Sequence, residues 1–169
     1  MSRAVSITIA AAPAKSADML VVLAGASGAL SKQAKAALGA AGARAVERAA
    51  NLEKFKGKMA EACMLVSPAG APFDRVLLVG TTTEGEAKTD YAMLGGIVAG
   101  ALGKVNAASV VMQTESGDVS TSDIGAFAMG VQMRTYAFDA YKTQKRDDKP
   151  ALVLTLVAAD VGAAKAAVK

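Results

Sequence analysis

Residues 19–25, Met-Leu-Val-Val-Leu-Ala-Gly, form an uninterrupted apolar run that ends in glycine. A strand with one wet face alternates apolar and polar side chains, so a run that is apolar at every position reads as a strand covered on both faces. Covering both faces takes helices on either side of a sheet. That requirement confines the chain to a layered α/β architecture. Composition then says what fills the layers: 53% of the 169 residues are hydrophobic but only 4% are aromatic. The core must be built mainly from Ala, Val, Leu and Met, with small residues that let backbones approach closely. At 17.0 kDa the chain fits a single domain.

The remaining segments alternate in type. Residues 4–10 alternate apolar with polar and are rich in β-branched residues, which predicts a half-buried strand. Ser31 is placed to cap a short helix reaching Leu38, which Gly39 and Gly42 interrupt, and residues 43–52 supply a helix whose apolar face is mostly alanine. Residues 62–70 and 73–80 read as adjacent antiparallel strands about the turn signal at 69–72. Leu94, Ile97, Val98, Ala101 and Leu102 recur with helical period, predicting an amphipathic helix over 90–104 with Asp90 near its start. A strand follows at 108–114.

Ser120 and Asp123 have capping-box spacing, in which each side chain satisfies the other's orphan amide. Ile124, Phe127, Ala128 and Val131 line one face of the helix that follows, which runs to about Ala137. Residues 151–160 read as a last strand. Residues 161–169 look like the first turns of a further helix with nothing to pack against. The alternation predicts a three-layer α/β/α fold whose sheet is mixed, through the first strands and the 63–80 hairpin.

The residue inventory restricts the chemistry. There is no histidine and one cysteine, Cys63. A zinc site of the Cys/His type, a Ser-His-Asp or Cys-His nucleophile pair, and an internal disulfide are therefore all excluded. No apolar run approaches the roughly 20 residues of a membrane-spanning helix, and the amino terminus reads as a strand and not a signal peptide, so a cytoplasmic protein is expected. The net charge is +4, but the basic residues are dispersed among acidic ones, unlike the concentrated basic face of a nucleic-acid binder.

Several local patterns have a structural and a functional reading. Residues 24–30, Ala-Gly-Ala-Ser-Gly-Ala-Leu, sit where a phosphate loop would, but Gly25 and Gly28 alone do not complete a fingerprint, and turn chemistry explains them. Gly95, Gly96, Gly100 and Gly103 inside a helix call for tight backbone packing, expected against the sheet. Residues 80–90 follow a strand and carry hydroxyls, two Glu and a Lys, as a ligand loop or as a solvated one. Asp147 and Asp148, flanked by Lys145, Arg146 and Lys149, read as neutralised surface charges.

One segment carries a family resemblance. Tyr136-Ala-Phe138-Asp139-Ala-Tyr141-Lys142-Thr143, followed by Lys145-Arg-Asp-Asp-Lys149-Pro150, resembles the stretch that closes the amino-terminal domain of leucyl (cytosol) aminopeptidases. Phe55-Lys-Gly-Lys58 and Arg75-Val-Leu-Leu-Val-Gly80 agree with it in order, and the resemblance covers essentially the whole chain. It implies a macro-domain-like fold over residues 1–160, with 161–169 beginning a linker helix to a catalytic domain outside these residues. It also implies a parent enzyme that removes amino-terminal residues, leucine among them, from peptides. In that family two divalent metals (Zn, Mn or Mg) are held by a separate carboxyl-terminal domain, and the whole assembles as a hexamer.

The family's catalytic signature, Asn-Thr-Asp-Ala-Glu-Gly-Arg-Leu, is not in these residues, so no catalytic, cofactor or metal residue carries over. The expectation is a domain inactive by itself that supports oligomer assembly and active-site access. Tyr136, Phe138, Asp139, Tyr141 and Lys142 are the candidate interdomain or assembly segment. The alternative is a stand-alone binding module for DNA or a nucleotide such as ADP-ribose, which rests on the basic pI and on analogy of fold.

Overall fold

The computed structural model describes residues 4–136 and 150–169. Strand β2 (Met19–Ala24) is buried at all six positions, and its side chains divide between two cores. Met19, Val21 and Leu23 point into one, while Leu20, Val22 and Ala24 point into the other. The unbroken apolar run thus serves two faces at once.

Around β2 the described residues form a six-stranded sheet in the order β1 (Val5–Ala10), β8 (Leu152–Val157), β5 (Ala107–Val111), β2, β4 (Arg75–Gly80), β3 (Ala62–Val66). From β1 to β4 along that order each strand is parallel to the next. β3 pairs antiparallel with β4, with Met64 opposite Leu77. The sheet is therefore mixed through the 62–80 hairpin alone. The first strands do not contribute, because β1 leaves β2 and takes the far edge beside β8, Val5 opposite Leu152.

Helix α1 (Lys32–Leu52) covers one face, burying Ala34, Leu38, Val46 and Ala50. Ser31 caps it, its Oγ accepting from the Ala34 amide at 3.1 Å. Gly39, at φ 73° and ψ 166°, breaks the helical path as its position predicted. Gly42 does not: it lies within the resumed helix, where a Cβ would come 3.0 Å from Ala71 Cα.

The other face carries α2 (Tyr91–Ala101), α3 (Thr121–Thr135) and α4 (Val161–Ala167). Asp90 Oδ1 accepts from the Met93 amide at 2.9 Å and starts α2. Ser120 Oγ accepts from the Asp123 amide and starts α3. The expected return bond is different, since the Asp123 carboxylate takes the Ser120 hydroxyl proton at 2.7 Å and not the Ser120 amide. Ile124, Phe127, Ala128 and Val131 are all buried, as their period required.

Two expectations change here. The glycines of α2 serve a helix–helix contact and not a helix–sheet one. A Cβ on Gly95 would lie 2.1 Å from the Phe127 carbonyl oxygen, and one on Gly130 of α3 would lie 1.9 Å from that of Ala92. Small residues at both positions let the two backbones touch, which offsets the roughly 1 kcal/mol each glycine costs a helix. The last helix is also packed. Asp160 caps α4 through the Ala163 amide at 2.9 Å. Ala164 is fully buried in the core shared with α2 and α3, and Gly125 of α3 makes room for the Ala167 carbonyl. No helix among the described residues is long and apolar enough to cross a membrane.

This geometry separates Gly95 within α2 from Gly103, which lies in the 3-10 turn (Leu102–Lys104) that follows it. Gly95→Ala should destabilise the domain by about 1–3 kcal/mol through overpacking. Gly103→Ala, where nothing lies within 4 Å of the added carbon, should be neutral or stabilising by about 0.5 kcal/mol. Urea unfolding monitored by circular dichroism measures both, and equal effects would remove the helix-contact explanation.

Candidate functional site

In an open α/β sheet the natural ligand crevice lies at the carboxyl ends of neighbouring strands whose following helices go to opposite faces. Here those strands are β2, followed by α1, and β5, followed by α3. The crevice is bounded by residues 25–31 and by the turn after β5. That turn is a small hairpin, β6 (Gln113–Thr114) with β7 (Gly117–Asp118), which sequence reading merged into the preceding strand. Gly117, at φ 133°, was its available signal.

The hairpin and its neighbours fill the crevice. At the hairpin tip, Glu115 places its carboxylate over Gly25, so closely that a Cβ there would sit 1.7 Å from Oε1. The amides that would cradle an anion are committed within the chain. Ser27 N donates to Lys56 O, Gly28 N to Gly25 O, and Ala29 N to Ala26 O, at 3.1–3.2 Å. At the start of α1 the Gln33 amide donates to Gln113 Oε1 at 2.8 Å and the Ala34 amide to Ser31 Oγ. A carboxylate in place and spent amides give this loop turn chemistry and no built anion site.

The Phe55–Lys58 motif is explained by the same rim. Phe55 is buried against α1, and Gly57, at φ 74°, passes so near that a Cβ would lie 1.9 Å from Gly25 O. The Glu61 carboxylate accepts from the amides of Lys56 and Lys58 at 3.1 Å. Gly80, the last residue of the second motif, is held by Lys58: a Cβ on it would meet the Lys58 carbonyl at 2.0 Å. The two motifs are thus one backbone junction that ties the segment after α1 to the ends of β2 and β4.

Loop 80–90 spends its hydroxyls in the same way. Thr81 Oγ1 donates to Ala24 O at 3.3 Å and Thr89 Oγ1 to Thr81 O at 2.9 Å. Glu84, Glu86 and Lys88 are exposed, and Glu84 meets Lys58 only at 4.0 Å across solvent. Burial, then Glu53 and Glu61, pushes the Cys63 thiol up, which keeps it protonated and a poor nucleophile. Burial, then Asp123, raises Tyr91. Among the described residues no group of three or more His, Cys, Asp or Glu is placed to hold a metal.

Of the candidate assembly segment, Tyr136 lies at the end of α3, its amide donating to Gln132 O at 2.8 Å and the residue 74% exposed. Phe138, Asp139, Tyr141 and Lys142, like Asp147 and Asp148, lie outside the described residues. Tyr136 continues an exposed stripe on α3 with Met129 and Met133, at helical spacing. Beside it, an open groove of about 570 Å³ runs between α3 and the end of α4, lined by Met129, Gln132 and Ala167. Periodicity identified the buried face of α3 but assigned no role to its outer face.

The model of the cytosol aminopeptidase family's N-terminal domain matches residues 8–145. A probable cytosol aminopeptidase of Methylobacterium radiotolerans is 46% identical, over 90% of this chain and 31% of that protein. One from Xanthobacter autotrophicus is 33% identical, over 99% of this chain and 34% of its own length. Among solved structures, a tomato leucine aminopeptidase mutant shares the fold at a TM-score of 0.65 and 18% identity, covering 99% of this chain and 36% of that one. The bottromycin maturation enzyme BotP does so at 0.56 and 19%, covering 90% and 29%. The chain spans about a third of the length of these curated relatives. With the family model matched over most of its length and the three-layer fold in common, this chain belongs to the cytosol aminopeptidase family, in which it corresponds to the N-terminal domain.

Proposed function

We propose that the chain acts as the non-catalytic amino-terminal domain of a leucyl aminopeptidase, a cytoplasmic metallo-exopeptidase. Its whole form would remove amino-terminal residues from peptides at a two-metal site (Zn, Mn or Mg) in a separate carboxyl-terminal domain. The observation that carries this reading is the match to the family's N-terminal domain in a chain whose curated relatives are about three times as long. On this reading the metals and the peptide chemistry reside in the part of the full-length protein beyond this stretch, and the linker to it begins near residue 161.

Within that protein the domain's work is contact: holding the catalytic domain and supporting a homo-oligomer, a hexamer by family resemblance. The exposed Met129, Met133 and Tyr136 on α3, next to an open groove, are what such a role needs, because methionine and tyrosine are favoured in interface cores. Tyr136 through Lys142 is the segment proposed to meet the linker, the catalytic domain or a neighbouring subunit.

The reading is tested on the native product. Purified from its source cells, that product should be much larger than 17.0 kDa and should release leucine from a leucyl chromogenic substrate in a chelator-sensitive way, whereas the 169-residue chain should show no release with Zn, Mn or Mg added. A native product of 17.0 kDa without activity would overturn it. For the assembly segment, changing Tyr136 and Phe138 together to Ala in the full-length protein should leave the fold intact and weaken the oligomer about tenfold, as loss of an aromatic anchor does. An unchanged oligomer by light scattering would exclude the segment from assembly.

A further inference from the structure

The sheet has two edges of different character. At β1 the exposed strand side chains are Ser6 and Thr8. At the other edge β3 exposes Met64 at 40% and Val66 at 64%, and the strand Ala-Cys-Met-Leu-Val contains no charge and no proline. Natural edge strands are normally guarded by such residues, by a bulge or by a covering element, because an open apolar edge recruits another strand. β3 has none of these guards within its own sequence.

The bonding pattern fixes what the edge offers. Gly80 N donates to Glu61 O and Ser67 N to Asp74 O, both at 2.7 Å, so the odd-numbered residues of β3 bond toward β4. Alternation in an antiparallel pair then directs the amides and carbonyls of Ala62, Met64 and Val66 outward. Their side chains share the sheet face with Leu77, at an end of that face where Met64 and Val66 stay exposed.

We propose that β3 pairs with β3 of a second copy of this chain, antiparallel about a two-fold axis at Met64, joining two sheets into one. A two-fold axis in the sheet edge makes the paired strands antiparallel and presents the same patch from each side. Centring it on Met64 sets Met64 opposite Met64 and Ala62 opposite Val66, and every outward amide then faces an outward carbonyl. The side chains brought opposite one another across the axis are all uncharged, so no like-charge pair opposes the pairing within the strand.

A five-residue strand supplies less than the roughly 800 Å² per partner of a standard interface, so the dimer of this chain is weak and concentration-dependent. The pairing goes beyond the proposed function, because neither the family match nor the Tyr136 segment bears on β3, and either can fail without the other.

The test is sedimentation of the 169-residue chain from micromolar to millimolar concentration. The apparent mass should rise toward twice 17.0 kDa, and Met64→Lys should weaken association about tenfold by setting like charges directly opposite, with circular dichroism unchanged. In a Cys63→Ala background, Met64→Cys should give a disulfide-linked dimer on air oxidation, since a bonded cross-strand pair lies at about 5.5 Å between Cα atoms and a disulfide spans that distance. Thr8→Cys on β1 in the same background serves as control. A chain that stays monomeric to millimolar concentration, a dimer indifferent to Met64→Lys, or cross-linking no better at residue 64 than at residue 8 would each overturn the proposal. If Met64→Lys fails to fold, the cross-linking comparison decides alone.

Discussion

Backbone touching backbone is the contact on which this domain depends. With aromatic residues so few, volume between layers is removed by approach and not filled by rings. Gly95 against the Phe127 carbonyl and Gly130 against that of Ala92 bring α2 and α3 together. That closeness lets both helices cover β2, β5 and β8 while presenting modest side chains such as Leu94, Val98 and Ile124. Larger residues at the glycines would part the helices, and the aliphatic side chains below are too short to fill the gap.

The same economy shapes the carboxyl edge of the sheet. Gly57 lies against Gly25 and Gly80 against Lys58, so three chain segments share one junction, and the hydrogen bonds that close it use the amides a ligand would need. The hairpin after β5 brings Glu115 to the remaining space. In open α/β sheets generally, this crevice is where small molecules bind. Here closing it stabilises the domain and leaves no convergent set of donors facing outward there. The family motifs at Phe55 and Arg75 therefore report architecture and not chemistry.

Much of this was legible in the sequence because each signal has a local cause. A run apolar at every position means a strand with two faces, and β2 has both. Ser31, Asp90 and Ser120 precede apolar periodic stretches, and each accepts an amide in the first turn of its helix. What was not legible depends on partners distant in the chain. Nothing near Gly95 reveals that its neighbour is Phe127 and not the sheet, and nothing near Val161 reveals that Gly125 leaves room for α4. The edge position of β1 is equally invisible locally, since parallel pairing with β8 is decided by elements about 145 residues apart. The hairpin at 113–118 escaped because its strands are two residues long, too short for a period to show.

The distribution of unused chemistry gives the domain its direction. At the rim, the Thr81 and Thr89 hydroxyls, the amides of residues 27–29 and the Glu61 carboxylate are spent on partners within the chain, while Glu84 and Glu86 face solvent. Among the large apolar side chains facing water are Met129, Met133 and Tyr136 at the outer side and end of α3, and Met64 and Val66 on β3. These sites lie on different elements, the one in a helical layer and the other at a sheet edge, so a single partner surface of ordinary size would not naturally cover both. Methionine suits this duty, because its flexible thioether adapts to an apolar partner without demanding a shaped pocket. On the proposed reading, exposed faces of this kind suit a domain that acts through what it sits against.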